Sequence, residues 1–358
     1  MLAVSDPTFA LLLATIRAPA DARRPAAIRL AAARPIDWDR LLALAIRHRV
    51  GPLAVEGLLA ADVAVPETLA ASLIEVGRRA LFAEMELAGE VARLSRSLGE
   101  EGVAVTVLKG PALSLRAFGR LGLRTYRDLD FLVRADEVET AQKLLADQGY
   151  VLAEPAMTAV DRHRWMRDHK DLALRHHRTG LLVELHWRLF DNRWVMPVDG
   201  SKASIPLAIA PLEQVLALPA VAEMTYLCLH GALHGWARLR WLADVNAIVV
   251  RESTDGLLAA ISPSTGRIAP ATAQALILCR DLLGANFPPH IDRLLNRSRR
   301  GRLLAGLAWR EIIRSGTREL EAVSLGSTIK NLSHYAMLES PQSILEEMRF
   351  DLTASRRT

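Results

Sequence analysis

The chain holds two cysteines in 358 residues, Cys228 and Cys279, and only five of its 45 basic residues are lysines. Two scattered thiols exclude a disulfide framework and a thiolate zinc site, and they fit a reducing, cytoplasmic setting. No basic segment precedes the first apolar stretch, so a secretory leader is not expected; Asp6-Pro7 reads instead as a helix cap followed by the first helical residue. No apolar run stays free of charge for the roughly 20 residues a membrane span needs. A later apolar stretch, Leu207 to Leu233, carries Glu213, Glu223 and His230, so no membrane partner is expected. There is also no block of five like charges, no low-complexity tract and no repeat in the range of roughly 30–45 residues.

What is present is a folded globular composition: 51% apolar residues, 24% charged residues and a net charge of only +5. The length gives a prior of about two to three domains. Alanine, leucine and arginine head the helix propensity ranking, so helix is expected to dominate. The 40 arginines are interspersed with 40 acidic residues, so a nucleic-acid partner is not the reading this charge pattern favours.

The chain divides by texture into three stretches. Residues 1–100 read as helical, ending in a long amphipathic run from Pro66 to Leu98. Residues 101–200 hold the strand signals. VAVTVL leads through Lys109-Gly110-Pro111 into a helix, Asp128 to Val133 reads as a second strand, and DLALRHH and LLVELHW flank the turn Arg178-Thr179-Gly180 as a hairpin. Residues 201–358 return to helical periodicity. The expectation is an α+β protein with a small mixed-sheet core between N- and C-terminal helical regions.

Chemistry concentrates in the middle stretch. Side chains two apart on a strand project from one face, so Asp128 and Asp130 present neighbouring carboxylates that a divalent cation would reconcile. Glu184 stands mid-strand in VELHW with His186 on its face, and a third acid on a neighbouring strand completes the ligands of a two-metal phosphoryl-transfer site. The turn at Lys109 and Gly110 offers a helix N-terminus and a cation to a phosphate. Arg124 and Arg127, just before the acids, could neutralise a leaving pyrophosphate or could pair with the carboxylates themselves. His230 and His234 are four apart on a helix, but Gly231 stands where a zinc protease carries glutamate, so that class is not expected.

The run VLKGPALSLRAFGRLGLRTYRDLDFLV, then Gly149-Tyr150, VELHWRLF and LCLHGALHGWARLRWLADV, resembles the uncharacterised nucleotidyltransferases within the DNA polymerase beta-like superfold, over about residues 100–250. The resemblance implies that Asp128, Asp130 and Glu184 are metal-binding and catalytic, with Mg²⁺ or Mn²⁺ as cofactor. It also implies that Lys109, Gly110, Arg124 and Arg127 contact a nucleoside triphosphate such as ATP. His186, His234 and Trp236 are candidates for orienting substrate. The implied activity is transfer of a nucleotidyl group to a peptide, protein or small-molecule acceptor. Lys-Gly-Pro replaces the superfold's Gly-Ser or Gly-Gly turn, which leaves open a non-catalytic nucleotide- or partner-binding protein on the same fold.

Overall fold

The computed structural model describes residues 4–126, 128–153, 159–196, 204–212, 215–251, 267–315 and 333–354. In chain order the elements open with α1 (Pro7–Thr15), α2 (Arg24–Ala32), α3 (Trp38–Arg47), α4 (Gly51–Ala60) and α5 (Glu67–Glu100). Then come β1 (Thr106–Val107), α6 (Gly110–Phe118), β2 (Asp128–Leu132), α7 (Val138–Asp147), β3 (Tyr150–Leu152) and α8 (Ala159–Asp168). The strands β4 (Asp171–His176), β5 (Leu182–His186), β6 (Ile205–Pro206) and β7 (Leu216–Ala217) follow. The last described helices are α9 (Ala220–Leu233), α10 (Leu239–Arg251), α11 (Pro270–Leu283), α12 (Pro289–Arg297), α13 (Arg299–Ser315) and α14 (Pro341–Ala354). The fold is α+β, as the sequence pattern implies. No described helix is long and apolar enough to cross a membrane.

These elements form two compact units, each built from separate stretches of chain. One comprises Met1–Ala83, Arg116–Thr125 and Met224–Leu338; the other comprises Glu84–Leu115, Tyr126–Glu223 and Glu339–Thr358.

The first unit is helical. Asp6 caps α1 by accepting the Thr8 N–H at 3.0 Å, and Pro7 supplies the first helical residue, so the helix starts where its sequence says it should. Helix α11 packs against α10 and α13 and is buried along almost its whole length. His48 closes α3 inside this unit with no exposed surface. Its Nδ1 accepts the Leu239 N–H and its carbonyl accepts the Arg240 N–H, both at 3.3 Å, which ties the α3–α4 corner to the start of α10. Burial, reinforced by the charges of Arg47 and Arg238, pushes its pKa down to about 3 and keeps the ring neutral.

The second unit is built on a seven-stranded sheet in the order β3-β4-β5-β2-β1-β7-β6. Pairing is antiparallel except for β2 with β5 and β1 with β7. One face is apolar: Leu129 and Phe131 on β2, Leu172 and Leu174 on β4, and Val183 and Leu185 on β5 are all essentially unexposed. The part of α5 in this unit buries Ala88, Val91, Leu94 and Leu98, a stripe at spacings of three and four. The β4–β5 hairpin turns at Gly180, whose φ of +74° suits the residue. Strands β6 and β7 lie in a stretch that reads as helical; each is two residues long, too short for a period-two pattern to show.

The buried His48 has a consequence for acid stability. Its folded pKa lies below the ordinary value of 6.5, so the unfolded chain takes up the proton first and stability falls as pH drops below about 6.5. Between pH 6.5 and 5, urea unfolding free energies should decline more steeply for the native chain than for His48→Gln, by up to about 1.4 kcal/mol per pH unit.

Candidate active site

The polar face of the sheet follows from register. Strand β2 runs parallel to β5 with Asp128 opposite Leu182, Asp130 opposite Glu184 and Leu132 opposite His186. Leucine and phenylalanine on the apolar face fix the parity of both strands, so Asp130, Glu184 and His186 must emerge together on the other side. Strand β4 adds Asp171, which pairs across from His186.

The side chains converge. One ligand atom from each of Asp130, Glu184 and His186 lies within 4.8 Å of the others. His186 Nε2 stands 3.3 Å from Asp130 Oδ1, 3.5 Å from Glu184 Oε2 and 3.7 Å from Asp171 Oδ2. Asp171 is also paired with the ammonium of Lys170. Asp130 and His186 are buried, whereas Glu184 is half-buried and so connects the cluster to solvent.

Charge balance explains why a buried carboxylate survives here. Lys109 Nζ lies 3.1 Å from Asp130 Oδ1. Burial alone would raise the Asp130 pKa, but Lys109 and His186 reverse that and hold it well below the usual carboxylate range. Burial likewise opposes charge on His186, yet Asp130 and Glu184 outweigh it and raise the imidazole pKa. Neither ring nitrogen of His186 makes a hydrogen bond among the described residues. An orphaned buried imidazole facing two carboxylates fits a divalent cation, which would satisfy all three groups at once.

Positions singled out in the sequence fall into three groups. Asp130, Glu184, His186 and Lys109 are brought together. Gly110 opens α6 beside them with a φ of +71°; added side-chain bulk would meet nothing closer than 3.9 Å, so the backbone angle and not space demands glycine. Asp128 begins β2 on the same face, half-buried, outside the three-residue cluster.

The others lie elsewhere or outside the description. Arg124 belongs to the helical unit, where it grips Asp244 in a two-point ion pair, Nε to Oδ1 at 2.7 Å and Nη2 to Oδ2 at 2.8 Å. Arg127 lies outside the described residues. His234 is exposed on the same unit and stacks on Trp241, with ring centroids 4.9 Å apart. Trp236 is wholly enclosed, and a Cβ on Gly231 would collide with its ring. That ring fills the space beside Gly231 of α9 and has no exposed surface.

Two participants escaped the sequence reading. Asp171 opens a strand in the motif DLALRH, and only the β4–β5 register places it opposite His186. Its ion partner Lys170 sits one residue outside that strand.

A sequence profile described as an uncharacterised nucleotidyltransferase matches residues 34–284 of the chain. No curated protein matches it.

The charge network is open to titration. His186 should show a pKa above its ordinary value by NMR in the native chain without added metal, and a lower pKa in Asp130→Asn, where one of the two carboxylates that oppose burial is gone.

Proposed function

The chain belongs to the uncharacterised nucleotidyltransferase family, and we propose that it is a divalent-cation-dependent enzyme that moves a nucleotidyl group from a nucleoside triphosphate to a nucleophilic acceptor. The observation that carries this reading is the convergence of Asp130, Glu184 and the orphaned His186 imidazole on the polar face of the sheet. In the reaction an acceptor oxygen forms a bond to the α-phosphorus, the bond from that phosphorus to the β-phosphate bridge oxygen breaks, and pyrophosphate carries away the electron pair.

Asp130 and Glu184 would hold the cation, with His186 as a third donor and Asp128, on the same face of β2, as a candidate ligand for a second. A bound Mg²⁺ or Mn²⁺ supplies charge neutralisation to the triphosphate and lowers the pKa of a coordinated hydroxyl. The imidazole favours Mn²⁺ relative to an all-carboxylate site, because nitrogen is a softer donor. Lys109, 3.1 Å from Asp130, would add a positive charge beside the phosphates of the triphosphate. The N-terminus of α6 at Gly110 presents backbone N–H groups beside it. Asp171, at the start of the neighbouring strand and paired with Lys170, would position His186. A peptide, protein or small-molecule acceptor is compatible with this machinery.

A second reading rests on a specific contact. Lys109 already neutralises Asp130 at 3.1 Å, which suits a chain that binds nucleotide or a partner without turnover.

Transfer of label from α-³²P ATP into a cell lysate separates the two readings. The enzyme reading expects Mn²⁺- or Mg²⁺-dependent labelling of one size fraction, reduced about a hundredfold or more in Asp130→Asn and in Glu184→Gln with circular dichroism unchanged. Calorimetric ATP binding with no pyrophosphate release for any triphosphate would favour the second reading. Labelling untouched by either substitution removes both carboxylates from the mechanism.

A further inference from the structure

Positive charge in this chain is unevenly placed. Pro289 to Ser315, the stretch that forms α12 and α13 of the helical unit, holds seven arginines against two acids, a surplus equal to the +5 of the whole chain. The rest of the sequence is therefore neutral on balance, and the excess is gathered on two consecutive helices separated by Ser298 alone. Arg293, Arg297, Arg299, Arg300, Arg302 and Arg310 are all exposed. Of the two acids, Asp292 is engaged by Arg280 at 3.3 Å and Glu311 is half-buried. Among the described residues none of these six arginines forms an ion pair; the Arg302 guanidinium donates to the Asn296 carbonyl.

Helical periodicity arranges these charges on α13. The helix packs against α11, and Leu304, Ala305, Ala308, Trp309 and Ile312 are its buried face. On the opposite side Arg299, Leu303, Gly306, Arg310 and Ile313 follow one another at spacings of four and three, a single stripe along the helix. Arg300 and Arg302 flank that stripe on either side. Leu303 is 62% exposed and Ile313 is 50% exposed, so the stripe leaves two large aliphatic side chains in water between guanidinium groups. Like charges repel and exposed aliphatics lose free energy to water, so the stripe has two separate reasons to favour an anionic, partly apolar surface.

We infer that α12 and α13 form a docking surface for an anionic lipid bilayer, with the arginines on headgroup phosphates and Leu303 and Ile313 entering the boundary between headgroups and acyl chains. Clusters of about four to eight basic residues on an amphipathic helix match the negative surface of such a membrane. An interfacial helix takes this mixture of cationic and aliphatic side chains, the long arginine stems lying along the apolar layer while their heads stay in the polar one. Single-stranded nucleic acid is held by stacking on exposed rings as well as by charge. The one tryptophan, tyrosine or phenylalanine on these two helices, Trp309, is enclosed against Phe9 with ring centroids 5.9 Å apart. A nucleic-acid duplex would offer phosphates to the arginines and nothing to Leu303 and Ile313. The helix lies along the surface without crossing it, since no described helix is long and apolar enough to span a membrane. This docking does not rest on the proposed transfer reaction, and it gives the helical unit a role of its own.

Co-sedimentation of the full chain with vesicles of phosphatidylcholine alone, and with vesicles containing about 30% phosphatidylglycerol, tests the assignment. The native chain should sediment with the anionic vesicles and not with the neutral ones, and raising the salt from roughly 50 to 500 mM should release it. Arg299→Gln combined with Arg300→Gln should weaken binding to the anionic vesicles about tenfold or more, and Leu303→Gln alone about fivefold. All three positions are exposed, so melting temperatures should not move. Arg96→Gln, at an exposed position on α5, should change nothing. No binding to anionic vesicles, equal binding to neutral ones, an equal loss in Arg96→Gln, or Leu303→Gln binding as tightly as the native chain overturns the proposal. Binding of duplex RNA that anionic vesicles fail to displace assigns the surface to nucleic acid and overturns it as well.

Discussion

A slip of one residue between β2 and β5 would turn Asp130 into the apolar layer and carry Leu129 or Phe131 to the polar side. Everything proposed for the site depends on that register. It is held by Leu129, Phe131, Val183 and Leu185, which are unexposed and have no other face to occupy. The packing that stabilises the sheet and the chemistry that needs Asp130 opposite Glu184 are therefore the same constraint seen from two sides. Parallel pairing contributes too, because it sets Asp130 and Glu184 at matched positions without a shared turn, leaving the ends of both strands free for loops.

The cluster also shows how the protein tolerates buried charge. An isolated carboxylate as enclosed as Asp130 would pay heavily for lost hydration, and Lys109 and His186 offset that cost at 3.1 and 3.3 Å. The compensation comes from cations of the chain itself, so the buried carboxylate is balanced within the sheet. The helical unit follows the same rule with Arg124 and Asp244, both buried and paired fork to fork.

Much of the site was legible because period-two alternation is a strong signal over five residues. DLDFL and LVELH each alternate, and that alone puts Asp128 with Asp130 and Glu184 with His186. The helix cap at Asp6 and the turn at Gly180 were legible for the same local reason. The rest depends on contacts between distant parts of the chain. Nothing near Arg124 in the sequence indicates that its carboxylate is Asp244, 120 residues away. Asp171 gains meaning only from the β4–β5 register, and the burial of Trp236 follows from a glycine one helical turn earlier in space and five residues earlier in sequence. The helical unit, likewise, joins the first 83 residues to the stretch after Met224, a union no windowed reading reveals.

The central claim is that Asp130, Glu184 and His186 together hold a divalent cation. Electron paramagnetic resonance of Mn²⁺ titrated into the full chain tests it most directly, read with and without ¹⁵N labelling of histidine. The account expects a bound Mn²⁺ signal that is lost in Asp130→Asn and in Glu184→Gln, with nitrogen coupling in the native chain that disappears in His186→Phe. Tight Mn²⁺ binding that survives both carboxylate substitutions, or no bound signal in the native chain, would contradict it.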